Sequence, residues 1–507
     1  MPTKSGAMST RSGHRAQSAL SLANVVASGP GNSTPAILEP SPRTAAISVE
    51  ERGYGDILNA LSKPKNRHFY VPARAEEVLA AEDLEYLKSK GCFNLPGNCK
   101  ELIKAYFQYV HPTFPVIDAA PFLQSYAVSG LKGINLLLLW SMISVSASYV
   151  ANSPQKAYKK TYANRAKLLF DLTQENDKIV LVQSALLLSF WFEDGEDVKQ
   201  SWYWSSIAIS VAQTLGLHCE IELAATTSPV TQLNHWRHIW QCCIYRDVWL
   251  AFGMGRPLRI RAEDCNASLI ASANGSFASG ILYDQEVYRP EEETGFAKSW
   301  RKLIAISHVL RDIISDKELT TAQDLSLRDR PNATSPATSS VLLTRVNRHL
   351  ELHQNAAIIA MARRGGMKEL SNEVADATTT TLQALLNDGS LEYAAPVIIP
   401  LLVPAAVTYL STAKSAEAEA RCLAHEKLKV YVEFLSALED NYPAASILSH
   451  ILEVTLDAMT GETIDQKLER AMHSQLEDQI IQPWDLSWTE HAWLPGTVGR
   501  PSREDFA

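Results

Sequence analysis

Several of the sequence signatures that announce an enzyme are missing from this chain. Neither Gly-x-x-x-x-Gly-Lys-Ser/Thr nor Gly-x-Gly-x-x-Gly occurs, so the common backbone cradles for nucleotide phosphates are excluded. AFGMGR (251–256) is no substitute, because no strand-like stretch precedes it. His-Glu-x-x-His and Gly-x-Ser-x-Gly are absent too, which removes the zincin helix and the strand-to-helix nucleophile turn. Cys-x-x-Cys does not occur. The 7 cysteines are scattered and odd in number, which argues against a secreted disulfide scaffold and for a reducing compartment. Strand-like alternation is scarce, and no internal repeat supports a regular solenoid. A formal net charge of -9 is a poor match for a phosphate backbone, leaving room only for a local basic patch.

Long apolar runs are few. INLLLLWSMISVSASYV (134–150) and AAPVIIPLLVPAAVTYL (394–410) carry no charge, but each is near the lower length limit for a membrane span. The first ends rich in serine and the second holds three prolines, so both are expected as buried core helices, with no membrane contact. The N-terminus has no continuous apolar run before residue 20, and no secretory signal is expected.

What is present is helical periodicity. Residues 1–75 are rich in Ser, Ala, Gly and Pro and are expected to be disordered or weakly ordered. A small basic cluster, Lys63, Lys65, Arg67 and His68, is a weak nuclear-import signal there. From about residue 76 to 460, apolar residues recur at helical spacing, with 46 % hydrophobic residues overall to fill a large core. Gly91 and Gly216 are expected as helix stops and Pro121 as a first-turn residue. Residues 266–294 and 314–340 are expected as long surface loops, and helices over 341–363, 369–387, 391–411, 412–439 and 443–458. Residues 461–507 are expected to be a helical or aromatic–acidic C-terminal tail. The fold class is all-alpha.

The stretch YFQYVHPTFPVID (106–118) interrupts this pattern. Pro112 and Pro115 cannot lie inside a helix, so they end one element and set the angle of the next; His111 and Asp118 are expected to cap or pack in this corner. Arg246 and Asp247 sit in an apolar helix, where charge needs a partner; a buried ionic network with Arg256 and Asp264 is expected. His235, His238, Cys242 and Cys243 include metal-ligand chemistry, but one straight helix cannot surround an ion tetrahedrally, and packing is the expected role. The acids of WFEDGED (191–197) lack the spacing of a calcium loop and are expected to be a solvated turn. Trp191, Trp202 and Trp204 flank it and either pack two helices or line a ligand or partner surface. No catalytic residue, cofactor or metal is expected.

The order of these stretches resembles the fungal-specific transcription factor domain, the helical middle region of fungal zinc-cluster regulators. EDLEYLKSKGCFNLPGNCKELIKAYFQYVHPTFPVIDAAPFL is similar to its start, and LVQSALLLSFWFEDGEDVKQSWYWSSIAISVAQTLGLH to its paired central helices. RHIWQCCIYRDVWLAFGMGRPLRIRAEDC resembles its Arg-Asp helix followed by the Gly-Arg-Pro turn at Gly255, Arg256 and Pro257. LEYAAPVIIPLLVPAAVTYL resembles a later helix. The likeness is greatest to regulators grouped with cutinase transcription factors. It spans roughly 82–460 and is most specific over 101–265. It makes His111 to Asp118 a structural corner of a regulatory domain.

The family's six-cysteine zinc cluster has the pattern Cys-x-x-Cys-x6-Cys and then three more cysteines. Residues 1–91 of this sequence hold no cysteine, so none of the family's DNA contacts carries over to a position here. The resemblance therefore implies a nuclear transcriptional regulator, of a metabolic gene cluster, acting through a coregulator or a DNA-binding partner protein. A complete regulator whose cluster is missing from the gene model is an alternative. So is a metabolite-sensing or inhibitory module without promoter occupancy, responding to a small-molecule effector; an enzyme on a helical scaffold is the remaining class. Homo- or hetero-oligomers fit any of the regulatory readings. In the tail, Trp484, Trp488 and Trp493 stand among Asp485 and Glu490, a mixture that suits either docking on the core or an activation segment.

Overall fold

The computed structural model describes residues 79–150, 155–173, 175, 177–190, 198–219, 230–265, 288–329, 340–388, 391, 394–415 and 418–459, and the backbone of 44–48, 68–72, 281–282 and 285–286. Helices dominate. A two-stranded antiparallel ladder pairs β1 (Thr44–Ser48) with β2 (His68–Pro72), within the stretch expected to be weakly ordered. A second short ladder pairs β3 (Ile281–Leu282) with β4 (Gln285–Glu286).

The first helices are α1 (Ala81–Ser89), α2 (Cys99–Ala105), α3 (Ala119–Ser129) and α4 (Leu136–Ser146). Gly91 takes a φ of +72° just after α1, a conformation open to glycine at no steric cost, and this ends the helix. Asn135 caps α4 by accepting the Leu138 N–H at 3.2 Å, and its amide reaches across to Glu175 at 2.7 Å. Every residue of α4 is buried. That all-round burial explains a run apolar enough to raise the membrane question. Among the described residues, no helix is long and apolar enough to cross a membrane.

α5 (Gln155–Leu172) packs on α4, and α6 (Lys178–Leu188) packs against both α4 and α7 (Val198–Thr214). Asp177 caps α6 through the N–H groups of Ile179 and Val180. The long α8 (Val230–Met254) lies against α6, α7 and α9 (Pro290–Ile314). The second half comprises α10 (Thr321–Arg328), α11 (Val341–Arg364), α12 (Lys368–Asn387), α13 (Ile398–Ser415), α14 (Ala418–Ser436) and α15 (Pro443–Met459), each packed on its sequence neighbour or one beyond.

Three expectations on element boundaries are corrected. The loop expected over 314–340 contains α10, whose Thr320 and Gln323 form a capping box: the Gln323 N–H reaches the Thr320 hydroxyl at 3.3 Å, and the Gln323 side chain accepts the Thr320 N–H at 2.9 Å. The loop expected to run to 294 ends earlier, because Pro290 suits a first helical position and Glu292 accepts the Arg289 N–H at 2.9 Å. The helix expected from 391 starts at Ile398, since Pro396 disfavours helical backbone at Ala395.

Candidate functional site

The corner at 106–118 is built from backbone upward. α2 runs into a single π-helical turn, Tyr106–Val110, which closes with the His111 N–H on the Tyr106 carbonyl at 2.9 Å. Pro112 and Pro115 then leave carbonyls without helical donors, and side chains from distant helices supply them. His238 of α8 donates from Nε2 to the Pro115 carbonyl at 2.6 Å, and the Cys242 thiol faces the same oxygen at 3.9 Å. Gln183 of α6 donates to the Val116 carbonyl at 3.0 Å. His111 is fully buried; its Nε2 bonds the Ile117 carbonyl at 2.9 Å and its Nδ1 the Tyr288 hydroxyl at 2.8 Å. Tyr288 stacks on the imidazole, with ring centroids 5.8 Å apart, and its hydroxyl also reaches the Phe107 carbonyl at 2.7 Å. Asp118 precedes the first residue of α3, and burial pushes its carboxyl up to about 6, opposed by the Ala120 amide.

His238 and Cys242 of α8 thus serve the corner. Burial holds His238 at about 3 and His235 at about 4, so both are neutral near pH 7. Burial also raises the thiols of Cys242 and Cys243, which keeps them inert as nucleophiles.

Arg246 and Asp247 are both buried but point to different neighbours, as consecutive helical residues must. Arg246 donates from Nε to the Ser189 hydroxyl at 2.8 Å and from its terminal nitrogen to the Ser189 carbonyl. Its guanidinium lies 3.9 Å from the centroid of the Phe190 ring. A cation is thereby placed at the C-terminal end of α6, where helix carbonyls lack partners. Burial lowers Arg246 to about 9.

Asp247 instead holds the chain after α8. Gly255, at φ +59°, stops the helix, and Pro257 keeps it from resuming. The returning backbone gives Asp247 Oδ2 the N–H groups of Arg259 at 3.0 Å and Ile260 at 2.9 Å, while the Arg259 guanidinium lies 3.5 Å from Oδ1. Burial nonetheless raises the Asp247 carboxyl, with Ile260 and Arg259 opposing it. Arg259 also bonds the Ser205 hydroxyl at 2.7 Å and the Trp202 carbonyl at 3.0 Å of α7. Its guanidinium sits 3.3 Å from the Trp202 ring centroid, with Arg256 at 5.1 Å from the same ring.

The network expected among Arg246, Asp247, Arg256 and Asp264 therefore takes another form. Arg259, which the sequence reading passed over, is the cation that meets Asp247, and Asp264 is exposed. Ser189 and Tyr288 were also passed over; both lie far along the chain from the groups they bond. The one available signal was the alternation of Arg256, Arg259 and Arg261 after the glycine stop. Trp204 is buried and Trp202 half-buried under two guanidinium groups. Trp191, Trp484, Trp488 and Trp493 lie outside the described residues, as do the WFEDGED turn and the Lys63 to His68 side chains.

A cleft of about 340 Å³ opens between α5 and α7, lined by Lys167, Asp171, Gln200, Tyr203 and Trp204. Among the described residues, no group of three or more His, Cys, Asp or Glu is placed to hold a metal ion.

The profile of the fungal specific transcription factor domain matches residues 103–352. The chain is 33 % identical over 224 residues to cutinase transcription factor 1 beta of Fusarium vanettenii, covering 42 % of this chain and 25 % of that protein. It is 34 % identical over 198 residues to cutinase transcription factor 1 alpha of the same fungus, covering 37 % of this chain and 22 % of that protein. With the acetamidase regulatory protein of Aspergillus fumigatus it shares 30 % identity over 184 residues, 35 % of this chain and 23 % of that one. The matched stretch thus spans about a quarter of the length of these curated relatives. No solved structure matches the chain.

Proposed function

This chain carries a fungal specific transcription factor domain over residues 103–352, and from that premise we propose that it regulates transcription through partner proteins in the nucleus. The matched domain supports the regulatory role. The relatives named above bear, as regulators, the names of two enzymes, cutinase and acetamidase, which supports a set of metabolic genes as the target. The finer statement rests on chemistry: the 507 residues contain no Cys-x-x-Cys and carry a net charge of -9. Neither property suits direct reading of a phosphate-lined groove. A coregulator or a DNA-binding partner supplies that contact in this reading.

The buried groups of α8 favour a structural rather than a chemical role. His238, Cys242, Arg246 and Asp247 each turn at least one polar atom to the backbone or a side chain of another element. The site is a joint where the corner, α6 and the Gly-Arg-Pro turn meet on one helix.

The test is genome-wide occupancy of the tagged protein, paired with binding of the purified protein to the recovered DNA. The expected result is occupancy at discrete promoters with no sequence-specific binding by the protein alone, and a co-purifying DNA-binding partner. Salt-sensitive, sequence-specific binding by the purified chain would sink the partner reading. Absence from every promoter would sink the regulator reading itself.

A further inference from the structure

We propose that residues 464–481, which follow α15, form a further helix that folds back along the outer face of α15. α15 packs on α14 and buries Ala445, Leu452 and Leu456. Its other side is also apolar. Ile447 is 38 % exposed and Ile451 44 %, with Val454 half-buried beside them. The three stand at i, i+4 and i+7, one stripe of a helix. The exposed polar residues Ser446, Glu453 and Asp457 keep to a third side. A helix apolar on two sides is built for two neighbours, and α14 covers one of them.

The occupant is read from the chain that continues out of α15. Gly461 stands two residues past Met459, the position at which glycine ends helices. Thr463 and Gln466 then repeat the residue types and spacing of Thr320 and Gln323, which form the capping box of α10. From that box Ile464, Leu468, Met472, Leu476 and Ile480 recur four apart, along one ridge of a helix, until Pro483 ends it. Such a helix is roughly 27 Å long, against roughly 25 Å for the 17 residues of α15.

A reversal at 460–463 sets the register. Leu468 falls beside Val454, Met472 beside Ile451 and Leu476 beside Ile447, so each residue of the stripe meets an apolar one. The short connection also holds the segment at this face at an effective concentration on the order of millimolar, which a second copy or another protein would have to overcome. So placed, the segment returns the chain to the Pro443 end of α15, and the stretch of Trp484, Trp488 and Trp493 starts from there. The seat does not depend on the regulator reading.

Hydrogen exchange on the full chain tests the seat. Amides of 468–480 are expected to exchange about tenfold or more slower than in an unfolded chain. Ile447→Gln with Ile451→Gln is expected to abolish that protection while the amides of α8 keep theirs. Both positions are exposed and glutamine is a good helix former, so the variant folds. Ile451→Cys with Met472→Cys is expected to close a disulfide within one chain under mild oxidation, found by peptide mapping, whereas Ser446→Cys with Met472→Cys, from the polar side, stays open. Unprotected amides over 468–480 would overturn the proposal, as would protection that the glutamine pair leaves intact. Equal closure of both cysteine pairs would overturn the register. Protection that vanishes on dilution, with a disulfide between chains, would give the face to a second copy and overturn the proposal as well.

Discussion

Asp247 and Arg259 meet twice: the Arg259 main-chain N–H lies 3.0 Å from Oδ2, and its guanidinium 3.5 Å from Oδ1. One carboxylate thus fixes both the backbone and the side chain of a residue twelve positions later. Asp247→Ala would remove the acceptor for two amides and leave the Arg259 cation partly buried. The expected cost is about 3–5 kcal/mol, the range for breaking one side of a buried pair. Denaturant unfolding of Asp247→Ala, Arg259→Ala and the double variant would measure it. The double variant should lose less than the sum, because the second change removes the group the first left unpaired.

Gly253 of α8 faces Pro400 of α13. A Cβ at this position would come within 2.9 Å of the Pro400 Cβ, and a proline ring cannot swing aside. Gly253→Ala should therefore destabilise by about 1–3 kcal/mol, despite the higher helix propensity of alanine. A rise in melting temperature would contradict the close contact.

His111 and Tyr288 couple the corner to the start of α9. Tyr288→Phe keeps the ring stack and loses only the hydroxyl bonds, so about 1–3 kcal/mol is expected. His111→Phe should cost at least as much, since it leaves the Ile117 carbonyl without its donor. Non-additive losses in a double-mutant cycle are the check.

Acid should weaken the fold. Burial depresses His238 and His349 to about 3 and pushes His353 down as well. In the unfolded chain these groups take up protons below about pH 6.5, while in the folded state they stay neutral. Their stabilisation is whole above that pH and falls as pH drops towards the folded values, by about 1 kcal/mol per histidine for each unit below ~6. Asp118, raised to about 6, and Asp171 and Asp247, also raised, act in the opposite sense, but with His235 and His308 held at about 4 the depressed histidines outnumber them. Unfolding midpoints at pH 7.5 and 5.0 should differ, the lower pH being the less stable.

The helices were legible because apolar residues recur with the helical period, as in α12, or run unbroken, as in α4. The capping residues of α10 were equally present in the sequence, but an eight-residue helix gives too short a period to stand out from its polar surroundings. The corner was legible as a corner because proline forbids helix. Its partners were not, since His238 lies 123 residues from Pro115 and Tyr288 lies 177 from His111. Likewise the need of Asp247 for a cation could be read from its apolar setting, but the choice of Arg259 depends on how the chain returns after Gly255. Periodicity reports which face is buried and carries no information about what buries it.

The close approach of Gly253 to Pro400 bears on where this protein can be cut. The family match ends at residue 352, inside α11, whereas α8 needs a partner from beyond residue 390 to cover its glycine. A fragment ending at 352 would sever α11 midway and lack α13, wetting the helix faces against which Leu401, Leu402 and Ala405 are buried in the full chain. Such a fragment would precipitate or recruit chaperones, so a loss of regulation on deleting the second half would report a broken fold before it reported a lost function.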